Sequence, residues 1–110
     1  MKAKRAVRRA RAERDIDAAA EHYFAEGGTP LELRFVAALE AAIRHVATHP
    51  ATGSARYAVE LGVPGLRFWK LKRFPYLIFY VERVDHIDVW RVLHDARDLP
   101  AWLQESDEGP

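Results

Sequence analysis

The sequence predicts an α+β fold, an antiparallel helical hairpin packed on a three- to four-stranded antiparallel β-sheet, as a single domain over residues 1–110. Three observations carry this. Residues 66–94 are dense in Val, Ile, Phe, Tyr and Trp and are cut by Phe74-Pro75 and Val84-Asp85-His86, the pattern of three consecutive strands. Residues 12–24 and 30–48 carry apolar side chains at helical spacing. Only Gly27-Gly28-Thr29 separates those two stretches, which leaves room for a tight turn between antiparallel neighbours.

Ala6 to Arg9 reads as a short edge strand whose basic neighbours discourage edge-to-edge pairing. Ala12, Ile16, Ala19, Ala20, Tyr23 and Phe24 then form the apolar stripe of a first helix, stopped by Gly27-Gly28. Thr29-Pro30-Leu31-Glu32 has the form of a capping box with proline at the first helical position. The second helix carries Phe35, Leu39, Ala42, Ile43 and Val46 and ends at His49-Pro50. Spanning Pro30 to Thr48, it would be about 28 Å long, enough to cross a small sheet.

Arg56 to Leu61 reads as a weak strand or an irregular crossing segment. Gly62-Val63-Pro64-Gly65 turns into the sheet, with strands at Leu66 to Lys72, Tyr76 to Arg83 and Ile87 to His94 in meander order. Asp98-Leu99-Pro100 opens a short turn or helix, Ala101 to Glu105, in which Trp102 and Leu103 dock.

Composition narrows the function classes. With 49% hydrophobic and 30% charged residues, the 110-residue chain is that of a soluble globular domain with one core. The absence of cysteine removes disulfides and thiolate metal sites and fits a reducing, cytoplasmic interior. Residues 1–11 hold six Lys or Arg, but no apolar segment of a signal peptide follows. The longest apolar run, Tyr76 to Val81, is far short of the roughly 20 residues that span a bilayer. A formal net charge of +1 gives no general field for nucleic acid, so direct nucleic-acid binding by the free chain is not expected.

No phosphate-cradling glycine loop, serine nucleophile signature or paired-carboxylate motif is present, so no catalytic residue is assigned. His45 and His49 are spaced i, i+4, but without a third ligand in register they read as a polar helix face, and neither a metal nor a cofactor is expected. His94, Arg97 and Asp98 invite an acid–base reading, although a strand-end histidine bonded to Asp98 is the plainer one.

Strand alternation places Arg67 and Arg73 on one face and Lys70 and Lys72 on the other, so the cations cannot all share a patch. Taken singly each is an ordinary solvated cation. Taken with the aromatic residues, they mark a sheet surface that one hairpin does not wholly cover. The candidate partner-binding residues are Arg67, Trp69, Arg73, Tyr80, Trp90, Arg91, His94 and Arg97, because guanidinium forks pair with carboxylates and aromatic rings suit interfaces.

The hairpin ending H-P-A-T-G, the run L-R-F-W-K-L-K-R-F-P-Y-L-I-F-Y-V and the closing V-L-H-D-A-R-D together resemble the RelE/ParE superfamily of bacterial toxins over Val7 to about Leu103. The match is nearer the ParE branch. That resemblance implies a helical hairpin on an antiparallel sheet, a toxin of a type II toxin–antitoxin module that acts on DNA gyrase without chemistry of its own, and neutralisation by a ParD-like antitoxin. The alternative is the RelE branch, a ribosome-dependent mRNA endonuclease. There the resemblance implies an arginine at the mid-sheet position that Leu77 holds here, and a neutral aliphatic cannot stabilise a developing phosphorane. A relative keeping the fold without activity is the third reading.

Overall fold

The structure, a computed structural model, describes residues 2–96. Strand β1 (Arg5–Arg8) leads into the helical tract α1 (Ala10–Thr48), followed by a 3-10 turn (Pro50–Thr52) and a short helix α2 (Arg56–Glu60). Strands β2 (Leu66–Lys70), β3 (Tyr76–Glu82) and β4 (His86–His94) complete the chain.

Helix α1 is two arms, because its helical geometry fails at Gly27 (φ −148°, ψ 16°) and Gly28 (φ 70°, ψ −165°). Only glycine enters the second conformation without a steric penalty. At Gly27 a Cβ would lie 2.8 Å from Leu31, so the first residues of the second arm pack straight onto the turn. Among the described residues no side-chain hydrogen bond closes the expected Thr29–Glu32 capping box. The glycines and Pro30 set the reversal instead.

The sheet order is β1-β4-β3-β2. Pairs β2–β3 and β3–β4 are antiparallel, as expected, but β1 lies parallel to β4, Arg5 against His86 through Arg8 against Val89, which makes a mixed sheet. The parallel sense comes from connectivity. A chain that leaves β1 through the two arms re-enters the sheet at the far edge and reaches β4 only after two reversals. At the β3–β4 ladder the register shifts between Phe79, opposite Arg91, and Tyr80, opposite Val89, so Trp90 is an extra residue that re-aims the second half of β4.

Both faces of the sheet are buried. Toward the arms, Ile16, Ala19, Phe35, Leu39, Ile43 and Val46 pack on Ile78, Tyr80, Ile87, Val89 and Val92. On the other face, Leu66, Leu77, Phe79, Val81 and Leu93 pack with Tyr57, and Phe68 and Trp90 lie against them. The expectation of an open aromatic face is therefore corrected. Arg56 to Leu61, read as a weak strand or an irregular crossing segment, instead forms α2 and its last turn, and places Tyr57, 8% exposed, against Phe79 and Phe68. Strand β2 also stops at Lys70 rather than Lys72, and the turn it enters carries Arg73 at φ 69° while Phe74 packs on Phe35 and Tyr23. The expected terminal turn, Ala101 to Glu105, lies outside the described residues.

Candidate partner-binding surface

The seven candidate residues within the described part of the chain do not converge on one surface. Tyr80 is wholly buried: its hydroxyl donates to the Pro50 carbonyl (2.8 Å) and accepts from the Gly53 N–H (3.0 Å), tying the end of α1 to the sheet. Burial pushes its pKa up, a shift partly offset by the Gly53 N–H and the nearby Arg67, while Glu82 adds to the rise. Arg67 is half-buried and donates to the Gly53 carbonyl at 2.8 Å. Those two residues fasten one turn.

Trp90 sits beneath the Arg9 guanidinium, 4.3 Å from ring centroid to Cζ, and its indole N–H donates to Asp88 Oδ2. Asp88 also accepts from Arg9 and Arg83. Burial alone would push this carboxyl up; the bonds from Arg9, Arg83 and Trp90 outweigh it and hold its pKa below the ordinary value.

Arg91 is 4% exposed and pairs with Asp15 of the first arm through Nε (2.8 Å) and Nη2 (2.9 Å). The same carboxylate accepts the Val92 N–H at 3.0 Å. Because β1 pairs only as far as Val89, β4 has β3 on one side at Val92 but no described strand on the β1 edge, where Asp15 takes the missing strand's place. His94 meets Tyr76 edge-to-face, ring centroids 5.2 Å apart, and its Nδ1 accepts the Ala96 N–H. Arg97 lies outside the described residues.

Trp69 and Arg73 do share a surface. They stand with Lys70, Lys72 and Phe74 across from the second arm, enclosing a groove of about 650 Å³. From the arm come Arg34, Ala37, Ala38, Ala41, Ala42 and His45, which recur at i, i+3, i+4, i+7, i+8 and i+11 and so line one helical face. The alanines keep the floor low and apolar. Trp69 closes one end by stacking on His45, centroids 4.4 Å apart and 18° from parallel.

The rim is basic. Arg34, Lys70, Lys72 and Arg73 line the groove with no carboxylate among the described lining residues. Lys70 is 3.9 Å from Asp95, at the outer limit of an ion pair, and the other three have no ion-pair partner among the described residues. An apolar trough with unpaired cations on its lip suits a segment with apolar side chains on one side and carboxylates flanking them.

Sequence reasoning missed Arg34, Ala37, Ala38 and Ala41 as site residues and read Ala42 as core and His45 as a polar helix face, because the stripe Phe35, Leu39, Ile43 marks the adjoining core face far more strongly. The available signal was the Ala pairs at Ala37-Ala38 and Ala41-Ala42, too small to fill an interface unaided. His45 and His49 lie with ring centroids 5.3 Å apart, and the described residues include no group of three ligand-type side chains placed to hold a metal. No helix among the described residues is long and apolar enough to cross a membrane.

Comparison with curated proteins finds no match. Among solved structures, one described as the chromosomal ParDE TA system from P. aeruginosa superposes with a TM-score of 0.66 at 20% identity, covering 83% of this chain and 96% of that one, and so shares the fold. The family described as ParE toxin of type II toxin-antitoxin system, parDE, matches residues 7–99. A match over that much of the chain, on a helical hairpin and sheet of the same shape, decides the family: the chain belongs to the ParE toxins of type II toxin–antitoxin systems.

Proposed function

We propose that this toxin inhibits DNA gyrase by binding it, without chemistry of its own, and is held inactive by a ParD-like antitoxin whose acidic, amphipathic segment lies in the groove beside the second arm. The observation that carries the antitoxin reading is the pairing of an alanine floor with the cations Arg34, Lys72 and Arg73, which have no ion-pair partner among the described residues. Each apolar side chain seated there contributes about 2 kcal/mol before the segment's ordering cost. The structural neighbour from a ParDE system supports a partner of this kind.

Gyrase as target is supported by the ParE-type ending and by the state of Leu77. At 6% exposure in the second core, this position offers a substrate phosphate no cation. Of the arginines on which the nuclease alternative rests, Arg67, Arg73 and Arg97, the first is fastened to Gly53 and the second stands at the groove, while Arg97 lies outside the described residues.

A supercoiling assay with purified gyrase tests the target. The expected result is loss of supercoiling with accumulated cleaved DNA, and unimpaired supercoiling refutes it. Calorimetric titration with the small acidic-tailed protein encoded beside the toxin gene tests the partner. A stoichiometric complex weakened by Arg73→Glu is expected; a complex indifferent to Arg34→Glu and Arg73→Glu moves the antitoxin elsewhere.

A further inference from the structure

A second cleft, about 590 Å³, opens between the first arm of α1 and the end of β4, and neither gyrase inhibition nor antitoxin docking, as proposed above, makes use of it. We infer that it is an anion site for a small phosphate ester, held by Arg14, His22 and His94. This inference is independent of the toxin's target and of its antitoxin.

The room is made by sequence. Arg14, Ala18 and His22 recur at i, i+4 and i+8 along the first arm, and the small Ala18, with Ala19 beside it, leaves a hollow between the two longer side chains. Across the hollow stands His94. A volume of this size lies within the range of small-ligand sites.

Among the described lining residues the arginines outnumber the carboxylates. Asp15 is the sole carboxylate among the described lining residues, and its oxygens are occupied by the Arg91 guanidinium and the Val92 N–H. Its negative charge is thus spent on an internal pair and does not neutralise the cleft. Arg14 is exposed and has no hydrogen bond or ion pair among the described residues.

The donors are oriented. His94 Nδ1 accepts the Ala96 N–H at 3.0 Å, so in the neutral ring the proton sits on Nε2, which becomes a donor. Asp95 Oδ1 is 3.6 Å from the same Nδ1, too long to reverse that assignment. Tyr76, edge-on to His94, fixes the ring plane. A phosphate, with several acceptor oxygens, can take the Arg14 fork and imidazole N–H donors from both sides of the cleft.

Phosphorus NMR of the full chain titrated into inorganic phosphate and into AMP, at constant ionic strength, tests this. Saturable broadening is expected, with affinity reduced about ten- to a hundredfold by Arg14→Gln and by His94→Gln. Arg44→Gln, an equal charge change on an exposed part of the second arm outside the cleft, should leave binding unaltered. Absence of saturation in the millimolar range overturns the inference. So does a loss in Arg44→Gln equal to that in Arg14→Gln, which would mean diffuse attraction. A short single-stranded oligonucleotide that displaces AMP and depends more strongly on Arg14 than AMP does would assign the cleft to a nucleic-acid backbone and overturn the small-ligand reading.

Discussion

The two arms of α1 offer the sheet the same spacing of side chains and produce two clefts of opposite character. The first arm contributes Arg11, Arg14, Asp15, Ala18, Ala19 and His22, the second Arg34, Ala37, Ala38, Ala41, Ala42 and His45. Each begins with arginine, has an alanine pair two turns on and ends with histidine. The difference lies in one dipeptide, Arg14-Asp15 against Ala37-Ala38. Where the carboxylate is present, it draws Arg91 inward and consumes a backbone donor of β4, and the cleft is the more polar of the two. Where alanine replaces it, the trough stays apolar and its cations remain on the rim. One helical face thus becomes an internal brace or, on the function proposed above, an external dock according to whether a carboxylate occupies its second turn.

Removing that brace breaks the comparison most severely. Asp15→Ala removes one carboxylate from a guanidinium at 4% exposure and takes away the side-chain acceptor of the Val92 N–H, so urea denaturation should show a loss of about 3 kcal/mol. A loss below about 1 kcal/mol would mean the pair is dispensable. Reversing the rim of the other cleft, with Lys72→Glu and Arg73→Glu together, should weaken the antitoxin complex about a hundredfold while leaving the unfolding midpoint in place. Equal losses of stability in the two cases would erase the distinction between brace and dock.

Tyr80→Phe tests what fixes the end of the second arm. The change leaves the Gly53 N–H and the Pro50 carbonyl without their partner and should cost about 2 kcal/mol in denaturant. It should also alter the alkaline limb of stability. Because the folded-state pKa of Tyr80 is raised by burial, the fold favours the protonated phenol. Its contribution is complete below the unfolded value of about 10 and is lost as pH rises through the folded one. The variant should therefore lose stability less steeply above pH 10, where Tyr23, also raised by burial, continues to act. The smallest effect is expected for His45→Gln. Loss of the stack on Trp69 should lower stability by about 0.5 kcal/mol and loosen one end of the groove, read as a change in Trp fluorescence.

Much of this architecture is legible in the residues. The 3.6-residue stripe through Phe35, Leu39 and Ile43, the stop at Gly27-Gly28 and the alternating run after Leu66 place both arms and three strands, because each rests on local periodicity. Features that depend on distant partners are not legible. The sense of β1 depends on where β4 finally lies, and the helical form of Arg56 to Glu60 depends on Tyr57 finding Phe79. The same limit explains the surface. An arginine on a strand looks available until its carboxylate, 76 positions away in the case of Arg91 and Asp15, is brought beside it. The groove was hidden for the converse reason: alanine carries no chemistry, and its significance is the space it leaves.

The parallel pairing of β1 with β4 also bears on synthesis. Strand β1 waits for β4, since Arg5 through Arg8 find their partners only when His86 through Val89 have been made. At about 5–20 residues per second that interval is several seconds. During it the nascent polypeptide lacks an interior strand of its sheet, and β1 has no partner to pair with.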